Sequence, residues 1–331
     1  MRPDIHMQNK GVENLNATIH NLTNIYSNHS TQGLRSRCQI VYILGVEGAS
    51  HHGFTPVLDA LAREQVDSTG KPFKIHLQPH ALRSALKGHF GKAAPLNNSS
   101  LIHDRLSSLC PNDGHQHVII EDCSFPCGFV DRPCGYYPRQ YEWRNMTMQG
   151  IAQSDAAINH PVNLYQFLEL YGPHARIKFV VLHRPYLDTL ASHVTWDGGW
   201  EGHSNVIRGF MMLLRRFLDQ HQVDSLSGEK LWTLVCVERL TAKFYGYEGE
   251  EETRAKLEVA RHRILFYLAE FLGWPQGECL HCFDSWRDGS TDKLQVFSSV
   301  KVFSLLDHMR EIRGVWPPRI SGSLPEQQCS T

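Results

Sequence analysis

The sequence predicts an α/β protein, a three-layer α/β/α arrangement around a central parallel sheet. Two observations lead there: short apolar runs rich in β-branched residues recur along the chain, and segments of helical period separate them. A third gives the strand direction. The runs are continuously apolar rather than alternating, as expected of parallel strands covered on both faces. With 331 residues, 41% apolar and 20% charged, the chain can build one large core or two small ones. Fibrous, collagen-like and wholly disordered readings are excluded.

Residues 1–37 are rich in Asn, His, Ser and Thr and read as a polar, poorly ordered leader or stem. Order is expected from Cys38. Gln39–Leu44 reads as a strand, Thr55–Val66 as a helix, Phe73–Leu77 as a strand and Ala81–Phe90 as a helix. Val118–Ile120 is a short buried-strand signal, Val162–Tyr171 helical, Ile177–Leu182 a strand and Tyr186–Val194 helical again. Val206–His221 and Thr253–Leu272 carry the clearest helical periodicity, with the apolar strand Leu231–Val237 between them. The segment 110–148 crowds Cys, Pro, Gly and aromatics and reads as a long functional loop within a single domain spanning 38–316; residues 317–331 read as a polar tail.

Thirty-three Lys plus Arg stand against 34 Asp plus Glu, so a net charge of −1 gives no global pull toward nucleic acid or an anionic membrane. Any anion site must be local. The longest apolar runs fall far below the roughly 20 residues of a membrane-spanning helix, so no membrane span is expected in this chain. N-x-[ST] sequons at Asn16, Asn21, Asn28, Asn97, Asn98 and Asn145 exceed the about two that chance supplies, and point to a secretory lumen. Met1–Lys10 shows no apolar targeting core, so either the chain starts late or it is cytoplasmic and the sequons are idle. The cysteines read as disulfides of unspecified pairing. Cys123, Cys127 and Cys134, and Cys279 with His281 and Cys282, are weaker zinc candidates, because the two clusters are about 150 residues apart.

After the first strand comes Gly45-Val-Glu-Gly-Ala-Ser-His-His-Gly-Phe-Thr-Pro. From Gly48 this is a Walker-type G-x-x-x-x-G spacing in which Phe54 takes the usual lysine position. Thr55 is expected to cap the following helix with Pro56 at its first position, aiming the helix amino end at a phosphate. An ordinary glycine-rich turn is the plain alternative. The missing lysine argues against ATP or GTP hydrolysis, where that residue reaches the β and γ phosphates. A second anion candidate closes a later strand: Arg184 leaves Ile177–Leu182 and Ser192 follows eight residues on, so guanidinium and hydroxyl can converge on a phosphate.

Together these pieces resemble the sulfotransferase family that uses 3′-phosphoadenosine 5′-phosphosulfate (PAPS), a P-loop, nucleotide-kinase-like fold, with the closest look to Golgi-type carbohydrate members. In that family a loop of the form [K/R]-x-G-T-T holds the 5′-phosphosulfate, and His51-His52-Gly53-Phe54-Thr55 stands in its place. The family's strand-end Arg and the Ser eight residues later, which hold the 3′-phosphate, correspond to Arg184 and Ser192, with Leu187-Asp188 between. Val235-Cys-Val-Glu-Arg-Leu240 and Ala269-Glu-Phe-Leu-Gly-Trp274 echo two further family motifs. The resemblance covers roughly 38–275. The loop cation is His51 if Gly53 sets the register, and Gly48 takes its place if Gly45 does.

The resemblance implies transfer of a sulfuryl group from PAPS to a hydroxyl or amine of a glycan or small-molecule acceptor, with no metal required, in the Golgi lumen. The family's strand-end general base corresponds to Glu121, within Val118-Ile-Ile-Glu-Asp-Cys-Ser-Phe-Pro126. Charge on the leaving group would come from His51, with His52, Arg139, Arg144 or His193 as substitutes; a neutral imidazole still donates a hydrogen bond. Gly48, His51, His52, Gly53, Phe54, Thr55, Arg184 and Ser192 are the expected nucleotide contacts. Tyr136, Tyr137, Tyr141, Trp143, Trp196 and Trp200 would suit a sugar platform or plain loop packing. Two other readings stand: a degenerate member that binds nucleotide or glycan without catalysis, and a P-loop kinase.

Overall fold

A computed structural model describes residues 29–46, 49–77, 99–125, 164–191, 199–241, 250–284, 286, 302–313, 316–318 and 329. Helix α1 (His29–Arg37) runs directly into β1 (Cys38–Val46), followed by α2 (His51–Arg63), β2 (Lys74–Leu77), α3 (Ser99–Leu109) and β3 (His117–Phe125). Then come α4 (Leu164–Tyr171), β4 (Arg176–His183), α5 (Tyr186–Ala191) and α6 (Gly199–Gln220). The last elements are β5 (Trp232–Cys236), a 3₁₀ turn (Val237–Leu240), α7 (Glu250–Leu272) and α8 (Val302–Ile312).

All five strands are parallel, in the order β2-β3-β1-β4-β5. The three-layer α/β/α expectation therefore holds. β1 lies at the centre with every one of its residues buried, in keeping with a sequence that is apolar throughout except for Gln39 and Gly45. It pairs with β3 from Cys38↔His117 to Val46↔Phe125, and with β4 from Gln39↔Arg176 to Leu44↔Val181.

Side chains of successive strand residues alternate between faces, and their contacts assign the helices. On one face Tyr42 meets Phe167 of α4 with ring centroids 5.1 Å apart, and Phe179 meets Phe217 of α6 at 5.6 Å. Pairs of this kind add about 0.5–1.5 kcal/mol each beyond area burial. α3 packs beside α1 and α4 on the same side. The opposite face takes α2, whose Phe54, Val57, Leu58, Leu61 and Ala62 form a buried helical stripe, and α7, whose Tyr267 hydroxyl accepts from Thr233.

Connections from β1 therefore cross one face, while those from β3 and β4 cross the other. Adjacent strands whose loops part in this way leave a crevice at their carboxyl ends, the usual ligand position in an open α/β sheet.

The structure corrects three expectations. Residues His29–Arg37, expected to belong to a poorly ordered leader, form a helix, because α1 buries Leu34 in the core and Arg35 donates to the carbonyls of Gly172 and Ala175 while pairing with Asp224. α2 begins at His51 rather than Thr55, since Phe54 extends its apolar stripe by a turn; Pro56 lies inside the helix. β3 runs on to Phe125, so part of the presumed 110–148 loop is strand, held by pairing with β1. The disulfides expected of the cysteines are present among the described residues, pairing Cys38 with Cys110, Cys236 with Cys329 and Cys279 with Cys282.

The helix expected over Ala81–Phe90, the asparagines of all six sequons, the remainder of the loop with Arg139, Arg144 and its aromatics, His193 and Trp196 lie outside the described residues. Among the described residues no helix is long and apolar enough to cross a membrane.

Candidate functional site

The crevice is built from three strand ends. At the first, β1 closes with Gly45-Val46 and the chain turns into α2. An ideal Cβ on Gly45 would lie 2.8 Å from the Ala49 Cβ and 3.1 Å from the Leu182 carbonyl oxygen, so only glycine fits between the turn and β4. The Ala49 N–H closes the turn onto the Val46 carbonyl at 3.0 Å. Ser50 follows with φ 69°, a left-handed conformation that costs a serine on the order of 1 kcal/mol. Its carbonyl accepts from both Gly53 N–H (3.0 Å) and Phe54 N–H (3.1 Å), starting α2. The positive end of the helix dipole is thereby set beside the β1 carboxyl end.

Several expected contacts move accordingly. The amide groups of Gly53 and Phe54 are engaged inside the helix. The Phe54 ring, in the place of the Walker lysine, is buried in the core at 6.1 Å from the Trp286 ring. Thr55 is not a cap: from within α2 its hydroxyl donates to Asp122 Oδ2 at 2.7 Å. His51 and His52 occupy the first helical positions. Gly48 and Ser192 lie outside the described residues.

Glu121 is also relocated. It pairs in register with Tyr42 in mid-strand, four residues before β3 ends, and is buried on the face of α4, the side away from α2. Sequence placed it at a strand end because the apolar signal stops at Ile120; the pairing of β3 with β1 continues regardless. Burial, with the neighbouring Glu121 carboxyl as a lesser cause, raises the pKa of the Tyr171 phenol. Asp122, one residue on, is the carboxylate that faces α2.

At the second strand end, β4 closes with His183 and Arg184 follows. β4 lies against β1 in register at Leu44↔Val181, so the turn before α2 and Arg184 leave neighbouring strands at the same end of the sheet, a strand spacing of about 4.8 Å apart at the last pair. Arg184 is largely buried, and its carbonyl accepts from the Thr189 hydroxyl at 3.3 Å. Next to it the Tyr186 hydroxyl meets Ser204 Oγ at 3.0 Å, and Ser204 Oγ meets His308 Nδ1 at 2.8 Å. Burial pushes the Tyr186 phenol up to about 12 and, with the Arg208 guanidinium as a lesser cause, holds His308 down at about 4. This network joins α5, α6 and α8. Its members are more than a hundred residues apart in part, and no sequence signal announced it.

The third end is β5. Cys236 closes the strand beside His183, its register partner, and Glu238 stands in the 3₁₀ turn that follows. A disulfide brings Cys329 onto Cys236. Sequence had marked Glu238 only as part of a family echo, and His183 and Cys329 not at all.

No protein-family model and no curated protein sequence matches this chain.

Proposed function

We propose that the chain binds 3′-phosphoadenosine 5′-phosphosulfate in the crevice at the carboxyl ends of β1 and β4, and transfers its sulfuryl group to a hydroxyl or amine of a carbohydrate acceptor. The acceptor oxygen or nitrogen attacks sulfur in line, the bond from sulfur to the 5′-phosphate oxygen breaks, and the acceptor proton passes to a base. The adenosine 3′,5′-bisphosphate formed leaves with charge that must be stabilised.

One observation carries this reading. The turn before α2 and Arg184 flank a single crevice on adjacent strands, so a helix amino end and a guanidinium can each take one phosphate of the same nucleotide. The sequence motifs supply the family; the strand order supplies the adjacency. Glu121, buried in mid-sheet, no longer suits the base, and Glu121→Gln is expected to leave turnover intact. Disulfides and sequons favour an oxidising, Golgi-type lumen over the cytoplasm.

A second reading draws on a specific contact. A helix-borne threonine bonded to a strand aspartate, Thr55 with Asp122, is the pair that holds Mg²⁺ in P-loop nucleoside-triphosphate enzymes. It favours a kinase, although Phe54 supplies no cation.

Thermal stabilisation separates the two. Adenosine 3′,5′-bisphosphate should raise the melting temperature and ATP with Mg²⁺ should not; the reverse overturns the sulfotransferase reading. Arg184→Ala should weaken 3′,5′-bisphosphate binding far more than that of 5′-AMP. Transfer of labelled sulfate from PAPS to a glycan panel distinguishes an enzyme from a binding protein of the same fold.

A further inference from the structure

The β5 end of the crevice gathers four side chains with the chemistry of a metal centre. A ring nitrogen of His183, a carboxylate oxygen of Glu238 and the sulfur of Cys329 lie within 4.8 Å of one another, and Cys236 is bonded to Cys329. The fold delivers each by a separate element. β4 and β5 place His183 and Cys236 in register, the 3₁₀ turn returns Glu238 toward them, and the carboxyl-terminal segment supplies Cys329. His183, Cys236 and Glu238 are screened from solvent to different degrees, the first two almost fully, and the Trp316 ring walls the group 6.0 Å from the His183 ring.

We infer that these four residues form a Cys₂-His-Glu zinc site in the state where the Cys236–Cys329 bond is reduced. Two thiolates, one imidazole and one carboxylate are a full tetrahedral donor set for Zn²⁺. Thiolates sharing one zinc stand about 3.8 Å apart for a zinc–sulfur bond of about 2.3 Å. Two cysteines with Cα atoms 5.1 Å apart reach that separation by side-chain rotation alone.

The chemistry balances as follows. A dithiol reductant gives two electrons and two protons to the Cys236–Cys329 bond and becomes its own disulfide; each freed thiol then loses its proton as it binds the metal. Cys329 is therefore fastened to the sheet in either environment, by its bond to Cys236 where oxidants prevail and through zinc shared with Cys236, His183 and Glu238 where thiols do. This inference does not depend on which nucleotide the crevice accepts.

Cobalt provides the direct test. The full chain is reduced with a phosphine, which ends as its oxide, freed of reductant without oxygen, and titrated with Co²⁺. One equivalent should bind with thiolate-to-cobalt charge-transfer absorption and the intense visible bands of a tetrahedral site. Cys329→Ser should abolish those bands, and Glu238→Gln should weaken binding by at least the roughly 10–100-fold that outer contacts of a metal site are worth. Cys279→Ser should retain them. Absent bands in the wild type, bands persisting in Cys329→Ser, or bands lost in Cys279→Ser each overturn the site.

A second measurement avoids variants and their folding. In reduced wild-type protein, Zn²⁺ should slow alkylation of Cys236 and Cys329, read by peptide mass spectrometry, and leave that of Cys279 and Cys282 unchanged. Equal rates with and without Zn²⁺ at Cys329 would refute the inference.

Discussion

The two ends of the sheet differ in strain: the amino end is stapled and hydrogen-bonded, and the carboxyl end carries the strained turn. At the amino end polar groups are closed on one another. Gln39 donates to the Leu272 carbonyl at 2.9 Å and accepts from Trp274 Nε1 at 2.8 Å; the Lys178 ammonium donates to the Lys230 carbonyl at 2.7 Å and lies 3.1 Å from Glu229. Arg37 donates to the Cys110 carbonyl at 2.9 Å, and the Cys38–Cys110 disulfide joins β1 to the end of α3. At the carboxyl end polar groups also meet, Thr55 with Asp122 and Tyr186 with Ser204 and His308, but the chain there in addition holds a strained Ser50 and a glycine no other residue can replace. Local strain and buried charge persist only where surrounding structure holds them. The amino end supplies that rigidity and the carboxyl end uses it.

The sharpest way to break this division is to open the amino-end staple. Replacing Cys38 and Cys110 together by Ala removes a link between residues 72 apart in sequence and should lower unfolding free energy by about 4 kcal/mol, measured by urea denaturation. Next is Gly45→Ala at the other end. The added methyl must push Ala49 or Leu182 away, which should cost roughly 2–3 kcal/mol and, unlike the staple variant, abolish nucleotide binding in calorimetry of the folded protein.

Gln39→Leu leaves a buried indole N–H and a carbonyl unpaired. It should cost about 2 kcal/mol while nucleotide affinity stays constant, since the contact lies at the end of the sheet opposite the proposed nucleotide crevice. A fall in affinity would show that the two ends are coupled.

The gentlest probe is pH. Burial, with His103 as a lesser cause, lowers His174 at the amino end to about 4 from 6.5, and His308 at the carboxyl end is lowered to about 4 as well. The unfolded chain binds these protons more readily than the folded one, so stability is complete above pH 6.5 and declines as pH falls from 6.5 toward 4. His174→Leu and His308→Gln should each flatten that decline in denaturation curves taken across the interval. Only the second, which also breaks the contact with Ser204, should alter nucleotide binding.

How far the site was legible follows the range of the interactions. The place of Arg184 just beyond the end of β4 was readable because a strand, an Arg-Pro step and a helix are adjacent in sequence. Glu121 and Thr55 were misplaced because their positions depend on where β3 stops pairing with β1, and on Phe54 packing against Trp286, 232 residues away in numbering. Asp122 carried no assigned role in the sequence, and only its contact with Thr55 across the sheet and α2 gives it one. His183, Glu238 and Cys329 share no local pattern; a strand register and a disulfide bring them together.

The sequence by itself determined the alternation of buried strands and amphipathic helices, since hydrophobic period is a local property that water reads one segment at a time. Tertiary structure alone decided which strands are neighbours, which face each helix covers and which polar groups meet. Those outcomes depend on pairings between distant segments, and their free energy exists only once the sheet has closed.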